Sequence, residues 1–153
     1  MSDYRIEKVR RAVEITLATG GRLAGDIFLQ AFARFRAGPE EPLDVLNDAA
    51  PFLPLILATG ELLLVQKAQI AVVSTDLPET EDPVDAGVVG MHVDITFIHG
   101  ETICGSIFPE LRADRPRLVD FLNNTSLTFI PLFATDRLHL VDIRHVAYAR
   151  PSA

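Results

Sequence analysis

Two small constellations in this sequence hold residue types able to bind a ligand. Asp44 and Asn47 form an Asp-x-x-Asn group that returns as Asp120 and Asn123. Its presence in both copies makes it the strongest candidate for a site, with the acid and the amide at the two ends of a single helical turn. The same types are the ordinary residues that start and stop a helix, so capping is the plainer reading. The second constellation is cationic: Arg34 and Arg36 in one loop, Arg112, Arg115 and Arg117 in a corresponding later one. Guanidinium forks suit a phosphate or an acidic partner, against the alternative of a solvated loop. These nine residues are the candidate binding set.

Other chemistries find no complete set of residues. Cys104 is the single cysteine, so it forms neither an internal disulfide nor a thiolate metal cage, and nothing suggests an oxidising compartment. As a nucleophile it would need a base within reach and a lowered pKa. His92 and Asp94 stand two apart, and His139 and His145 flank a late turn, but a metal needs three or four converging ligands. Gly20-Gly21 lacks the Lys-Ser/Thr of a phosphate loop, no Gly-x-Ser-x-Gly elbow occurs, and paired carboxylates are confined to an acidic stretch. The expectation is a protein that is not an enzyme, with no catalytic residue, no metal and no cofactor.

Composition narrows the class further. The chain has 153 residues, 14 Lys and Arg against 21 Asp and Glu, a net charge of −7 and 48% hydrophobic residues. That apolar content excludes a disordered chain, and a pI near 5.0 removes the electrostatic footprint of a general nucleic-acid binder. No DNA partner is expected. The uncharged stretch Ala49–Gly60 contains Pro51 and Pro54 and is too short to cross a bilayer, and no basic-then-apolar leader precedes Tyr4. A cytoplasmic protein with no membrane partner is the expectation. A mean hydropathy of +0.24 is high for so small a chain, which predicts that another subunit covers part of its surface.

What positions the candidate residues is a tandem repeat. Val13-Glu14-Ile15-Thr16-Leu17 returns as Val93-Asp94-Ile95-Thr96-Phe97, and the same spacing carries Gly20, Gly25, Ile27 and Phe28 onto Gly100, Gly105, Ile107 and Phe108. Asp44-Val45-Leu46-Asn47 matches Asp120-Phe121-Leu122-Asn123, and Phe52-Leu53-Pro54-Leu55 matches Phe129-Ile130-Pro131-Leu132. Leu62, Leu64, Val65, Ile70 and Ala71 fall on Leu138, Leu140, Val141, Val146 and Ala147. His139 and His145 have only Leu63 and Gln69 as counterparts, which weighs against a repeated metal site.

Within each copy the apolar period is two, the mark of strands with one buried face. A glycine turn follows the first strand, then a return strand in which Gly25 or Gly105 reads as a kink. A charged loop and a short helical turn come next, followed by strands near 51–58, 61–66 and 69–74, with equivalents near 128–134, 138–143 and 145–149. The predicted organisation is an arm at 1–12, a small β-barrel at 13–74, an acidic Pro-containing linker at 75–90 and a second barrel at 91–150. Pro54 and Pro131, which donate no ladder hydrogen bond, are expected at a bulge or an edge.

The Gly-x-x-x-x-Gly groups Gly20 to Gly25 and Gly100 to Gly105, the apolar Ile27 and Ile107, and the closing segments Leu64 to Val72 and Leu140 to Tyr148 resemble the Sm-like branch of the SH3-like small barrels. The resemblance implies an all-β fold of two tandem small SH3-like/Sm-like β-barrels, each with a short helical turn. At the positions that hold RNA bases in that family the sequence departs. Asp44 and Asn47 come well after Gly25, and Gln66-Lys67 and Asp142-Ile143 replace the Arg-Gly of the final turn. The pattern also resembles small uncharacterised bacterial domains, which implies no activity. The favoured function is a non-catalytic interaction or assembly module of two fused barrels, partnered by copies of itself or another protein. The alternative is a Sm-like binder of RNA or nucleotides acting through the Arg-rich loops.

Overall fold

The protein is described here from a computed structural model covering residues 8–31, 38–78, 90–108 and 117–151. The repeat is carried into structure element by element. The first copy runs β1 (Lys8–Leu17), β2 (Arg22–Gln30), α1 (Pro42–Asn47), β3 (Phe52–Leu57), β4 (Leu62–Gln66), a 3-10 turn (Lys67–Gln69) and β5 (Ile70–Asp76). The second runs β6 (Met91–Phe97), β7 (Thr102–Ile107), α2 (Leu118–Asn124), β8 (Phe129–Phe133), β9 (Arg137–Asp142), a 3-10 turn (Ile143–His145) and β10 (Val146–Pro151).

Registers repeat as well as elements. Val13 stands opposite Gly25 and Val93 opposite Gly105, while Pro54 faces Leu64 and Pro131 faces Leu140. The β1–β2 and β6–β7 hairpins close through Gly20 and Gly100, whose positive φ of 93° and 108° a residue with a Cβ rarely adopts. Gly25 and Gly105 are needed for a different reason. A Cβ on Gly25 would lie 2.3 Å from the Ile56 carbonyl oxygen, and one on Gly105 would lie 2.7 Å from that of Phe133. Only glycine lets the next strand cross so closely, so the predicted kink is a point of close backbone approach. Beyond that crossing β3 and β8 leave β2 and β7: the pairs are Gly25 with Leu57 and Asp26 with Ile56, and in the second copy Ser106 with Phe133. Pro54 and Pro131 therefore pair on one side only, at a local edge as expected.

All-β character is present, but the pairing does not close two separate barrels. The ten strands form one antiparallel sheet in the order β10-β6-β7-β8-β9-β5-β1-β2-β3-β4. Each copy contributes five neighbouring strands, and β5 of the first joins β9 of the second. A period of two tells which face of a strand is buried and is silent about which edge it pairs with.

The segment boundaries also shift. β1 begins at Lys8, inside the stretch assigned to an arm, and Arg10 lies 3.3 Å from Asp26 across the β1–β2 pair. Thr75 and Asp76 belong to β5, and residues 79–89 of the acidic linker lie outside the described residues. Among the described residues no helix is long and apolar enough to cross a membrane.

Two hydrophobic cores result, and each borrows from the other copy. The first gathers Val13, Ile15, Ile27, Leu46, Leu53, Ile70 and Val73, together with Phe129 and Leu140 from the second copy. The second gathers Val93, Ile95, Ile107, Ile130 and Leu132, together with Ala71 and Val72 from the first. Burying Phe129 and Leu140 contributes about 1.5–3 kcal/mol each, so the two copies are joined by core packing as well as by strand hydrogen bonds.

Candidate functional site

The Asp-x-x-Asn group of the first copy is split between two tasks. At the start of α1 the backbone N–H of Glu41 donates to Asp44 Oδ2 at 2.8 Å, within a capping box, and Pro42 opens the helix. At its end Asn47 reaches across to the second copy. Its Oδ1 accepts from the backbone N–H of Phe129 at 2.8 Å and of Thr128 at 3.2 Å, and its Nδ2 donates to the Phe129 carbonyl at 3.0 Å. A side-chain amide is the one group that can mimic a strand neighbour in this way, offering donor and acceptor to the same backbone. Behind it the buried Lys67 donates to the Val45 carbonyl and to Asp48 Oδ1 at 2.6 Å, which fixes the end of α1.

The matching group of the second copy is placed differently. Asp120 and Asn123 are both exposed on α2, with Arg117 Nε 3.9 Å from Asp120. Arg34, Arg36, Arg112 and Arg115 lie outside the described residues, and Arg117 is exposed at the helix start. The structure therefore separates the candidate residues: Asp44 is a cap, Asn47 is a clamp between copies, and Asp120 and Asn123 face solvent.

The seam that Asn47 braces carries several further polar contacts. Along it Val72, Val73, Ser74, Thr75 and Asp76 stand opposite Val141, Leu140, His139, Leu138 and Arg137. Ser74 Oγ and His139 Nδ1 lie 2.7 Å apart, His145 Nε2 donates to the Ala68 carbonyl at 2.6 Å, and Arg22 joins Glu101 at 2.8 Å. Burial, with the Arg137 charge beside it, holds the His139 imidazole below its ordinary pKa, so it sits neutral in the seam. Near the seam the fully buried Asp142 accepts from the Arg144 guanidinium at 3.0 and 2.7 Å.

The counterparts of the seam are open. β4 and β10 are the outermost strands of the sheet, β4 being the repeat equivalent of β9 and β10 that of β5. Phe129 is fully buried and its equivalent Phe52 is 50% exposed; Leu140 is fully buried and its equivalent Leu64 is 63% exposed. Leu62 on β4 and Tyr148 on β10 are exposed large apolar residues as well. Part of the apolar surface predicted from composition thus lies along these edges; Val9, Ile98, Val119 and Leu127 are exposed elsewhere. Phe28 and Phe108, which the strand alternation points outward, are half-buried, Phe28 beneath Arg10 and Phe108 edge-on against Phe133.

No reactive group stands out beside this surface. Cys104 is exposed, and its small burial together with the Asp94 carboxylate raises the thiol pKa, the opposite of activation. Among the described residues no three His, Cys, Asp or Glu side chains converge as a metal site would require.

The clamp and the open edges were missed by residue-type reasoning. One signal was present: β5 reads Ile-Ala-Val-Val-Ser-Thr with no charge before its last residue, Asp76, whereas β10 reads Val-Ala-Tyr-Ala-Arg-Pro. A strand apolar on both faces is one enclosed in a sheet. No family model, curated protein or solved structure matches the chain.

Proposed function

We propose that this protein is a non-catalytic assembly module of two fused small-barrel units of the SH3-like/Sm-like kind, which associates head to tail with further copies of itself. One observation carries the reading: β5 pairs with β9 inside the chain, while β4 and β10, the strands equivalent to those two by repeat, have no neighbour on their outer side among the described residues. An edge of each type on every molecule makes a heterologous contact, which builds a ring when the rotation closes and a filament when it does not. Exposed apolar edge strands are the surfaces that proteins otherwise cover or break up. A cytoplasmic setting is consistent with the lone free thiol at Cys104.

Light scattering on the purified chain at micromolar concentration tests this. The expected mass is an integer multiple, two or more, of 16.8 kDa. A 16.8 kDa monomer unchanged on concentration contradicts it. Salt-sensitive binding of single-stranded RNA by that monomer would favour the RNA-binding alternative instead.

A further inference from the structure

From the core packing at the internal seam we infer that the contact between chains is a knob-and-socket joint, in which Phe52 and Leu64 of one copy fill a cavity in the second repeat of another and Asn123 clamps the backbone at Phe52. This rests on the head-to-tail reading and specifies its contact surface. Phe129 and Leu140 enter the core of the first repeat beside Val13, Leu46, Ile70 and Val73. The equivalents of those four residues are Val93, Leu122, Val146 and Ala149. All four line an apolar cavity of about 240 Å³ in the second repeat. The residues equivalent to the two knobs, Phe52 and Leu64, stand out from the surface at the far end of the sheet. Knob and socket are therefore both present on one chain, at opposite ends, and neither can satisfy the other internally.

The clamp follows the same correspondence. Asn47 binds the backbone of Thr128 and Phe129, and its equivalent Asn123 is exposed at the rim of the socket helix. In a second copy the matching backbone is Pro51-Phe52. Pro51 has no N–H, so Asn123 makes two of the three bonds: it accepts from Phe52 N–H and donates to the Phe52 carbonyl. The register transfers too, placing Tyr148, Ala149 and Arg150 opposite Val65, Leu64 and Leu63 of the neighbour, because Val72, Val73 and Ser74 face Val141, Leu140 and His139.

Complementation between two defective chains tests the joint. Phe52→Asp removes the knob and leaves the socket, while Ala149→Trp fills the socket and leaves the knob. Each variant alone is expected at 16.8 kDa, and an equimolar mixture is expected to give a 1:1 complex of twice that mass and nothing larger, because the remaining ends are dead. Circular dichroism establishes that both variants are folded. Should the Trp variant fail that check, Asn123→Ala serves in its place. It alters an exposed residue and is expected to weaken assembly about tenfold while leaving the melting temperature of the dilute chain unchanged. Variants that assemble like the wild type, or an Asn123→Ala chain with undiminished assembly, overturn the joint. So does a mixture of folded Phe52→Asp and Ala149→Trp chains that stays monomeric while the wild type assembles. In all three cases head-to-tail assembly itself is left standing. A monomeric wild type overturns both.

Discussion

Asn47 and Asn123 occupy equivalent places in the two repeats and differ only in what lies opposite them. Asn47→Ala leaves the buried Phe129 N–H without its acceptor, at a cost of about 2 kcal/mol. Asn123→Ala alters an exposed residue, removes no bond to a buried backbone among the described residues of the isolated chain, and is expected to shift its stability by less than about 0.5 kcal/mol. Urea midpoints of the two variants in dilute solution check this, and equal losses would contradict the roles assigned here. The sequence shows both asparagines and their repetition. Their different duties depend on a residue about 80 positions away and have no local signature.

His139 adds a pH dependence to the same seam. Burial and Arg137 lower its pKa from 6.5, outweighing the opposing carboxylates of Asp136, Glu101 and Glu14. Below pH 6.5 the unfolded chain takes up a proton that the folded chain resists, so this residue's contribution to stability is lost as pH falls from about 6.5 towards the lowered folded value. His139→Gln is expected to flatten the dependence of the urea midpoint on pH between 7.5 and 5. An unchanged slope in the variant would place the titrating group elsewhere.

At the scale of elements, the two bent strand pairs depend on glycine for space. Gly25→Ala sets a methyl 2.3 Å from the Ile56 carbonyl oxygen, so β2 and β3 must part, and a destabilisation of about 1–3 kcal/mol is expected. Gly105→Ala acts in the same direction through the Phe133 oxygen, somewhat less because the approach is 2.7 Å. Thermal melts of both variants measure it, and an unchanged melting temperature for Gly25→Ala would show that the crossing is looser than described. Alternation at Val13 and Ile15, the turn glycines and the one-sided prolines made these elements legible in advance. The start of β1 was not legible, because Arg10 and Arg11 mask the period of two with charge, and strand pairing with Phe28 and Ile27 is what extends it.

For the whole molecule, the repeat made the order of elements within each copy readable, since matching buried positions demand matching registers. How the units join was not readable from that pattern. Side-chain alternation describes the two faces of a strand, whereas joining is decided at its edges, by backbone groups that every residue carries. Among the described residues the chain makes one edge contact internally and leaves an edge of each type at the ends of its sheet. Disulfide trapping measures that arrangement most directly. In a Cys104→Ser background, Leu64→Cys and Ala149→Cys place two thiols in directly opposed positions of the intermolecular register, where Cβ separations suit a disulfide. The account predicts a ladder of covalent multiples of 16.8 kDa on mild oxidation of the double variant, absent from either single-cysteine chain. Monomer alone, or equal cross-linking by a single-cysteine chain, would contradict it.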